Sequence, residues 1–358
     1  MLRSVPDRSA PFVLIVADGA SVHTRRLLRA LRDHGLRVEL AAFESAGIAG
    51  VAEHRLGHRS PGRDGRYALG VIALATVIRA RRPQIVHAHY VSSYGLMAAI
   101  ALRLSPGPKL IQTAWGTDLL ITARGSRVRR ALASAALRAA ELVTGDSADL
   151  ERIARTLAPR TPWVRFVFGP AEALLSQDAE REPLIISMRR LEPDMRVELA
   201  VAGFRRAREI APVDLAGWRL LVAGDGTRSD RVRAAAGGDG SVELRGRLDH
   251  PTLHAHCARA RLQISVPSTD TTSAALLDGL AAGLVPIVTD LPGPREWVDE
   301  TIGEIVPRDP TVDDIAGAIV RATRRDVPRE RLRERVREVT WEREVGRLVD
   351  AYRSLLPG

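Results

Sequence analysis

The 358-residue chain has a single cysteine, Cys257, which excludes an internal disulfide framework and fits a reducing, cytoplasmic compartment. Lysine is nearly absent: Lys109 is the only one, and arginine supplies the rest of the 53 basic side chains. Aromatic residues make up only 4% of the chain. No Asp-x-Asp pair occurs, so the carboxylate couple that commonly holds a metal against a diphosphate is missing. No apolar run is long enough to cross a membrane. The first, Phe12 to Ala17, also lacks the length of a cleavable signal and reads as a buried strand. Nothing resembles a nucleic-acid module. The net charge of +10 permits an anionic partner, but the arginines are spread over many helices, as on a solvated basic surface. Binding of nucleic acid is not expected.

What is present is an alternation. "FVLIVAD", "RVELAAF", "PQIVHAHY", "KLIQTAWG" and "ELVTGDS" are apolar runs of strand length. Helical patterns lie between them, among them Leu69–Arg81 and Arg127–Ala140. Continuous apolar strands separated by helices predict a parallel sheet covered on both faces. After the turn-rich stretch Gly169–Pro183 the pattern restarts with "LIISMRR", "RLLVAGDG", "VELRGR", "LQISVPS", "VPIVTD" and "GEIVP". Length and pattern predict two α/β domains, residues 1–170 and 171–340. The last helix, 341–358 with Trp341 and Tyr352, is expected to cross back onto the first domain.

Ligands of such sheets bind beyond the carboxyl ends of the strands. In the first half those ends carry Asp18-Gly19, His87, His89, Trp115-Gly116-Thr117-Asp118 and Asp146-Ser147. The second half has Arg189-Arg190, Gly224-Asp225-Gly226, Ser268 to Ser273 and Pro292-Gly293. Facing strand ends and one cleft between the domains are the expected arrangement.

The segments "MRRL", "LVAGDG", "VELRGRL", "VPSTDTTSAALLDGLAAGLVPIVTDLPGPREWV" and "TWEREVGRLVDAYRSLL" resemble the family-four retaining glycosyltransferases, whose two-Rossmann-domain fold is called GT-B. The resemblance covers most of Leu184 to Leu356 and is weaker in the first half. It implies transfer of a sugar from a nucleoside-diphosphate sugar, such as a UDP or GDP sugar, with retained anomeric configuration. Two acidic residues eight apart, usually glutamates in the family, are here Asp270 and Asp278. By resemblance Asp278 accepts hydrogen bonds from the ribose diol, and Asp270 stands where the donor sugar sits, or serves as a plain helix cap. Thr271, Thr272 and Ser273 open the helix toward the diphosphate, and Gly224 and Gly226 belong to the same nucleotide site. Arg190 is implied at the diphosphate. The family's lysine five residues on is replaced by Met195, and Arg196 is the candidate to compensate.

In the first half, Gly19, His89 and Trp115 are candidates for the acceptor side, and Asp118 for sugar hydroxyls or a turn with a helix cap. Trp115 stands where the family more often has histidine. The cluster His250, His254, His256 and Cys257 imitates a zinc site, but its members do not share one helix face. A metal-free transferase using helix dipoles and arginine is the consistent expectation, with no resident cofactor. The acceptor is expected to be a saccharide, glycolipid or natural product. An epimerase of the same fold and a catalytically silent partner subunit stay open as alternatives. "RGSRVRRALASAALRAA" is basic and partly apolar. It reads as a surface helix, with peripheral contact at the inner face of a membrane left open.

Overall fold

The computed structural model describes residues 10–57, 63–122 and 125–357. It divides into two compact units, Met1–Phe168 with Glu344–Gly358, and Gly169–Arg343.

Among the described residues, the first unit holds β1 (Phe12–Val16), α1 (Val22–Asp33), β2 (Arg37–Ala42), β3 (Ala52–Arg55), α2 (Arg63–Arg81), β4 (Ile85–His89), α3 (Leu96–Leu104), β5 (Lys109–Thr113), α4 (Arg127–Arg138), β6 (Leu142–Gly145), α5 (Ala148–Leu157) and β7 (Trp163–Arg165). The strands form one sheet in the order β3-β2-β1-β4-β5-β6-β7, with neighbouring strands parallel. β1 is buried along its whole length, as its unbroken apolar run requires. β3, sequence AEHR, is a short polar edge strand that no apolar pattern announces. Right-handed crossovers send α2, α3, α4 and α5 to one face. Their buried side chains, among them Leu74, Met97, Leu137 and Leu157, share one core with Leu14, Val86 and Val143 of the sheet.

The second unit holds β8 (Leu184–Ser187), α6 (Val197–Ile210), β9 (Arg219–Ala223), α7 (Ser229–Ala236), β10 (Val242–Gly246), α8 (His250–Arg259), β11 (Leu262–Ser265), α9 (Ala274–Ala281), β12 (Val285–Thr289), α10 (Pro292–Arg295), β13 (Glu304–Val306), α11 (Val312–Thr323) and α12 (Arg329–Glu334). The sheet order is β10-β9-β8-β11-β12-β13, again parallel throughout.

The final helix, α13 (Trp341–Ser354), belongs to the first unit from Glu344 onward. Glu344 is buried and accepts the Val167 N–H at 2.7 Å. Tyr352 is fully buried, and its hydroxyl meets His87 Nδ1 at 2.6 Å. The remaining imidazole nitrogen of His87 meets Thr113 Oγ1 at 2.7 Å, and Thr113 meets Thr144 at 2.8 Å. His87 is therefore a structural link between sheet and final helix rather than an acceptor contact.

Candidate active site

Each sheet reverses its winding direction at one point, and such switch points open a crevice at the strand ends. In the second unit the reversal lies between β8 and β11. The residues following these two strands come together there. Arg189, just after β8, forms an ion pair with Asp270, after β11, at 3.0 Å. The guanidinium and carboxylate are only 10% and 14% exposed. Arg189 also donates to the Ser273 hydroxyl and, at 2.8 Å, to the thioether of Met195. Ser273 is in turn the N-cap of α9, its Oγ accepting from Leu276 N–H at 3.4 Å. The Asp270 carboxylate accepts the Thr271 N–H at 3.1 Å. Burial pushes its pKa above the usual carboxylate range, while Arg189 pulls it back.

Glycines let neighbouring backbones close onto this group. A Cβ on Gly224 would collide with the Arg189 carbonyl, and one on Gly226 with the Leu191 carbonyl. Leu191 N–H donates to the Asp225 carbonyl at 3.0 Å, locking the two loops together. Gly293, in the first turn of α10, allows that helix to lie against Thr271. Thr272 accepts from Trp297 Nε1 at 3.2 Å. Asp278 is half-buried on α9. Its charge reaches Cys257, whose thiol is raised first by burial and then by that carboxylate.

One arginine assignment changes, that of Arg196, and one arginine, Arg189, joins the group. Arg190, the residue expected at the diphosphate, is exposed, and Asp270 is held by its neighbour Arg189. Arg196 does not compensate at this group: its guanidinium is bound to Asp309 at 2.7 Å and to the Arg308 carbonyl at 2.9 Å. Arg189 was overlooked because the resemblance points to Arg190. The signal was the doubled arginine next to a missing lysine: a guanidinium from position 189 lies over the Met195 sulfur.

In the first unit the winding reverses between β1 and β4. His89 ends β4. It is 1% exposed, and neither ring nitrogen has a hydrogen-bond partner. Burial, then the nearby His23, lowers its pKa to about 3, so the ring is neutral. Trp115 lies beside it, ring centroids 6.0 Å apart, stacked on Tyr90 at 5.4 Å and 5.0 Å from Phe168. The Trp115 indole N–H is also buried without a partner. Buried polar groups left unpaired cost about 1–3 kcal/mol each, so this cluster retains unspent hydrogen-bonding capacity. Tyr90 adopts φ 67 and ψ 94, a conformation that non-glycine residues rarely take.

Asp118 is a correction. Of its two readings, sugar hydroxyls or a turn with a helix cap, the first gives way: the side chain is 3% exposed and engaged in turn hydrogen bonds inside the unit. Its carboxylate accepts Val91 N–H at 3.0 Å, Ser92 Oγ–H at 2.8 Å and Trp115 N–H at 3.3 Å. It clamps the turn after β4 to the turn after β5, and so positions His89 and Trp115. Burial raises its pKa to about 6 against the pull of those bonds. Gly19 has a packing role of its own. A Cβ there would collide with the Glu44 carbonyl, so internal packing by itself requires the glycine.

Among the described residues no group of three or more His, Cys, Asp or Glu is placed to hold a metal ion. His250 and His254 pack edge to face at 5.7 Å, while Cys257 is buried and donates to Met188 Sδ at 3.3 Å.

Residues 13–147 match the family described as glycosyl transferase 4-like, and residues 182–325 match glycosyl transferases group 1. The chain belongs to the family-four-like glycosyltransferases. Its fold is GT-B. Sucrose-phosphate synthase from Thermosynechococcus elongatus is similar over 96% of this chain and 99% of its own, with TM-score 0.76 and 18% identity. The Anabaena protein HepE, in complex with UDP and glucose, is similar over 97% and 100%, with TM-score 0.75 and 13% identity. A curated relative, the exopolysaccharide phosphotransferase SCO2592 of Streptomyces coelicolor, is 38% identical over 144 residues. That match spans 38% of this chain and 14% of the relative. Among the described residues no helix of this glycosyltransferase is long and apolar enough to cross a membrane.

Proposed function

We propose that this glycosyltransferase takes a nucleoside-diphosphate sugar on its second unit and transfers the sugar, with retained configuration and without a metal, to a saccharide, glycolipid or natural-product hydroxyl. The observation that carries the reading is the Arg189–Asp270–Ser273 group at the switch point between β8 and β11. A buried guanidinium at the start of α9 is suited to a diphosphate, because it forms two parallel charge-assisted bonds. Exposed Arg190 adds a second cation at the same strand end. Asp278 would bind the ribose diol. UDP is the first nucleotide to test, since HepE, alike in fold, was crystallised with it.

In this reading the bond between the anomeric carbon and the β-phosphate oxygen breaks as the acceptor oxygen attacks from the same face. The leaving diphosphate receives the acceptor proton. Protein groups contribute position and charge stabilisation rather than a nucleophile. In the first unit, the unpaired nitrogens of His89 and the indole N–H of Trp115 would bind sugar or acceptor hydroxyls. The enzyme would work in the cytoplasm, at the inner face of the membrane when its acceptor is a lipid.

Purified protein incubated with a panel of sugar nucleotides and acceptors, read by mass spectrometry, tests this. Transfer requires an acceptor. Conversion of the donor sugar without acceptor would assign an epimerase, and binding without turnover would assign the silent partner subunit that the loss of lysine at Met195 allows.

A further inference from the structure

The outer surface of the first unit carries a feature that sugar transfer does not use. Ten large hydrophobic side chains are exposed among the described residues, and six of them lie on α2, α3 and α4. They are Leu69 and Ile72, Ile100 and Leu104, and Val128 and Leu132. Each pair is three or four residues apart, so each marks one outward stripe of its helix. Scattered exposed apolar residues need no explanation, but clustered ones do. Leu69 and Val128 are 72% and 69% exposed. The three helices cover the same face of the sheet over one core. Arg79 Nη2 donates to the Leu104 carbonyl at 3.0 Å, fixing α2 to the end of α3.

All but one of the charged residues on these helices are basic. Arg79, Arg103, Arg127, Arg129 and Arg130 are exposed beside the apolar stripes. Asp64 is the only acidic residue in the three helices, and carboxylates resume after α4 with Glu141, then Asp146, and on α5 with Asp149 and Glu151. A protein partner's core contact would favour apolar residues with few charges. An apolar stripe flanked by arginines of one sign instead matches the boundary between acyl chains and anionic headgroups.

We propose that the outer face of α2, α3 and α4 docks on an anionic lipid bilayer, the exposed aliphatic side chains entering the headgroup boundary and the arginines meeting lipid phosphates. The proposal stands on this face alone and does not rest on the transferase reading.

Sedimentation of the full chain with vesicles of phosphatidylcholine, and with vesicles carrying about one-third phosphatidylglycerol, is the test. Binding to the anionic vesicles that weakens with added salt is expected. Each arginine near the surface contributes about fivefold in partitioning, so Arg127→Ser, Arg129→Ser and Arg130→Ser combined lose about a hundredfold. Leu69→Ser with Val128→Ser weakens binding at unchanged charge. Both variants change exposed residues, and circular dichroism checks that they remain folded. Protein left in the supernatant with anionic vesicles at low salt overturns the proposal. So does a Leu69→Ser, Val128→Ser variant that binds as tightly as the parent. A dimer that this variant dissociates, in a chain that ignores vesicles, overturns it in favour of a second copy.

Discussion

Replacing Arg189 by alanine removes the cation from the Asp270 carboxylate and from the start of α9. At 3.0 Å and an effective dielectric near 20, the gross attraction of the pair is about 5 kcal/mol. Desolvation of the two groups cancels most of that, so the pair as a unit contributes little net stability. Removing one partner is different, because it leaves a buried carboxylate alone. Such single removals cost about 3–5 kcal/mol, and Arg189→Ala is expected in that range. Arg189→Ala with Asp270→Ala should recover most of the loss, since no stranded charge remains. Burial already raises the Asp270 pKa, and losing Arg189 raises it further. A carboxyl whose folded pKa exceeds its unfolded one binds more protons when folded. The penalty therefore shrinks as pH falls toward the ordinary carboxylate pKa and reaches its full size above the raised folded value. Urea denaturation of both variants at two pH values measures this. Calorimetric titration with UDP supplies the second readout: a lost charge-assisted bond of about 1.5–3 kcal/mol weakens binding at least tenfold. An Arg189→Ala protein with unchanged stability and unchanged UDP affinity would refute the reasoning.

Asp278→Ala should raise the dissociation constant for the preferred nucleotide by a similar factor, and calorimetry with UDP and GDP shows which one that is. Asp118→Asn should keep the clamp, because an amide oxygen can accept from Val91 and Trp115 while its nitrogen donates to Ser92. The parent loses stability as pH rises from the ordinary carboxylate value through about 6. The asparagine variant should not show that slope in denaturation curves. Asp118→Ala strands two N–H donors and should cost about 1–3 kcal/mol for each. Turnover on metal-stripped enzyme should survive excess EDTA. Activity abolished by chelation and restored by Mg or Mn would mean that the diphosphate is held by an ion.

The strands of both units were legible because a parallel sheet buries both faces and writes an unbroken apolar run. Ala52–Arg55 escaped because an edge strand needs no such run, and Trp163–Arg165 because three residues carry no period. At the site, Asp270 came from the resemblance, and the cap of α9 is Ser273 rather than Asp270. Arg189 could not be read, since adjacent residues project differently and a resemblance does not say which of two arginines turns inward. For Asp118 the sequence left substrate contact and a turn role open for another reason. Its hydrogen bonds reach Val91 and Ser92, 27 and 26 residues away, and such partners leave no mark in local sequence. The orphan nitrogens of His89 depend on burial by several elements at once and have no sequence signature.

The hydrogen bonds of Glu344 to Val167 and of Tyr352 to His87 reverse the usual order of events on a ribosome. Domains generally fold as units in the order they emerge. Here the unit that begins first lacks α13 until the rest of the chain has been made, while Gly169–Arg343 is continuous. The later unit can reach its native state while the earlier one still exposes the buried face around His87. Emergence of α13 is then the event that completes the earlier unit.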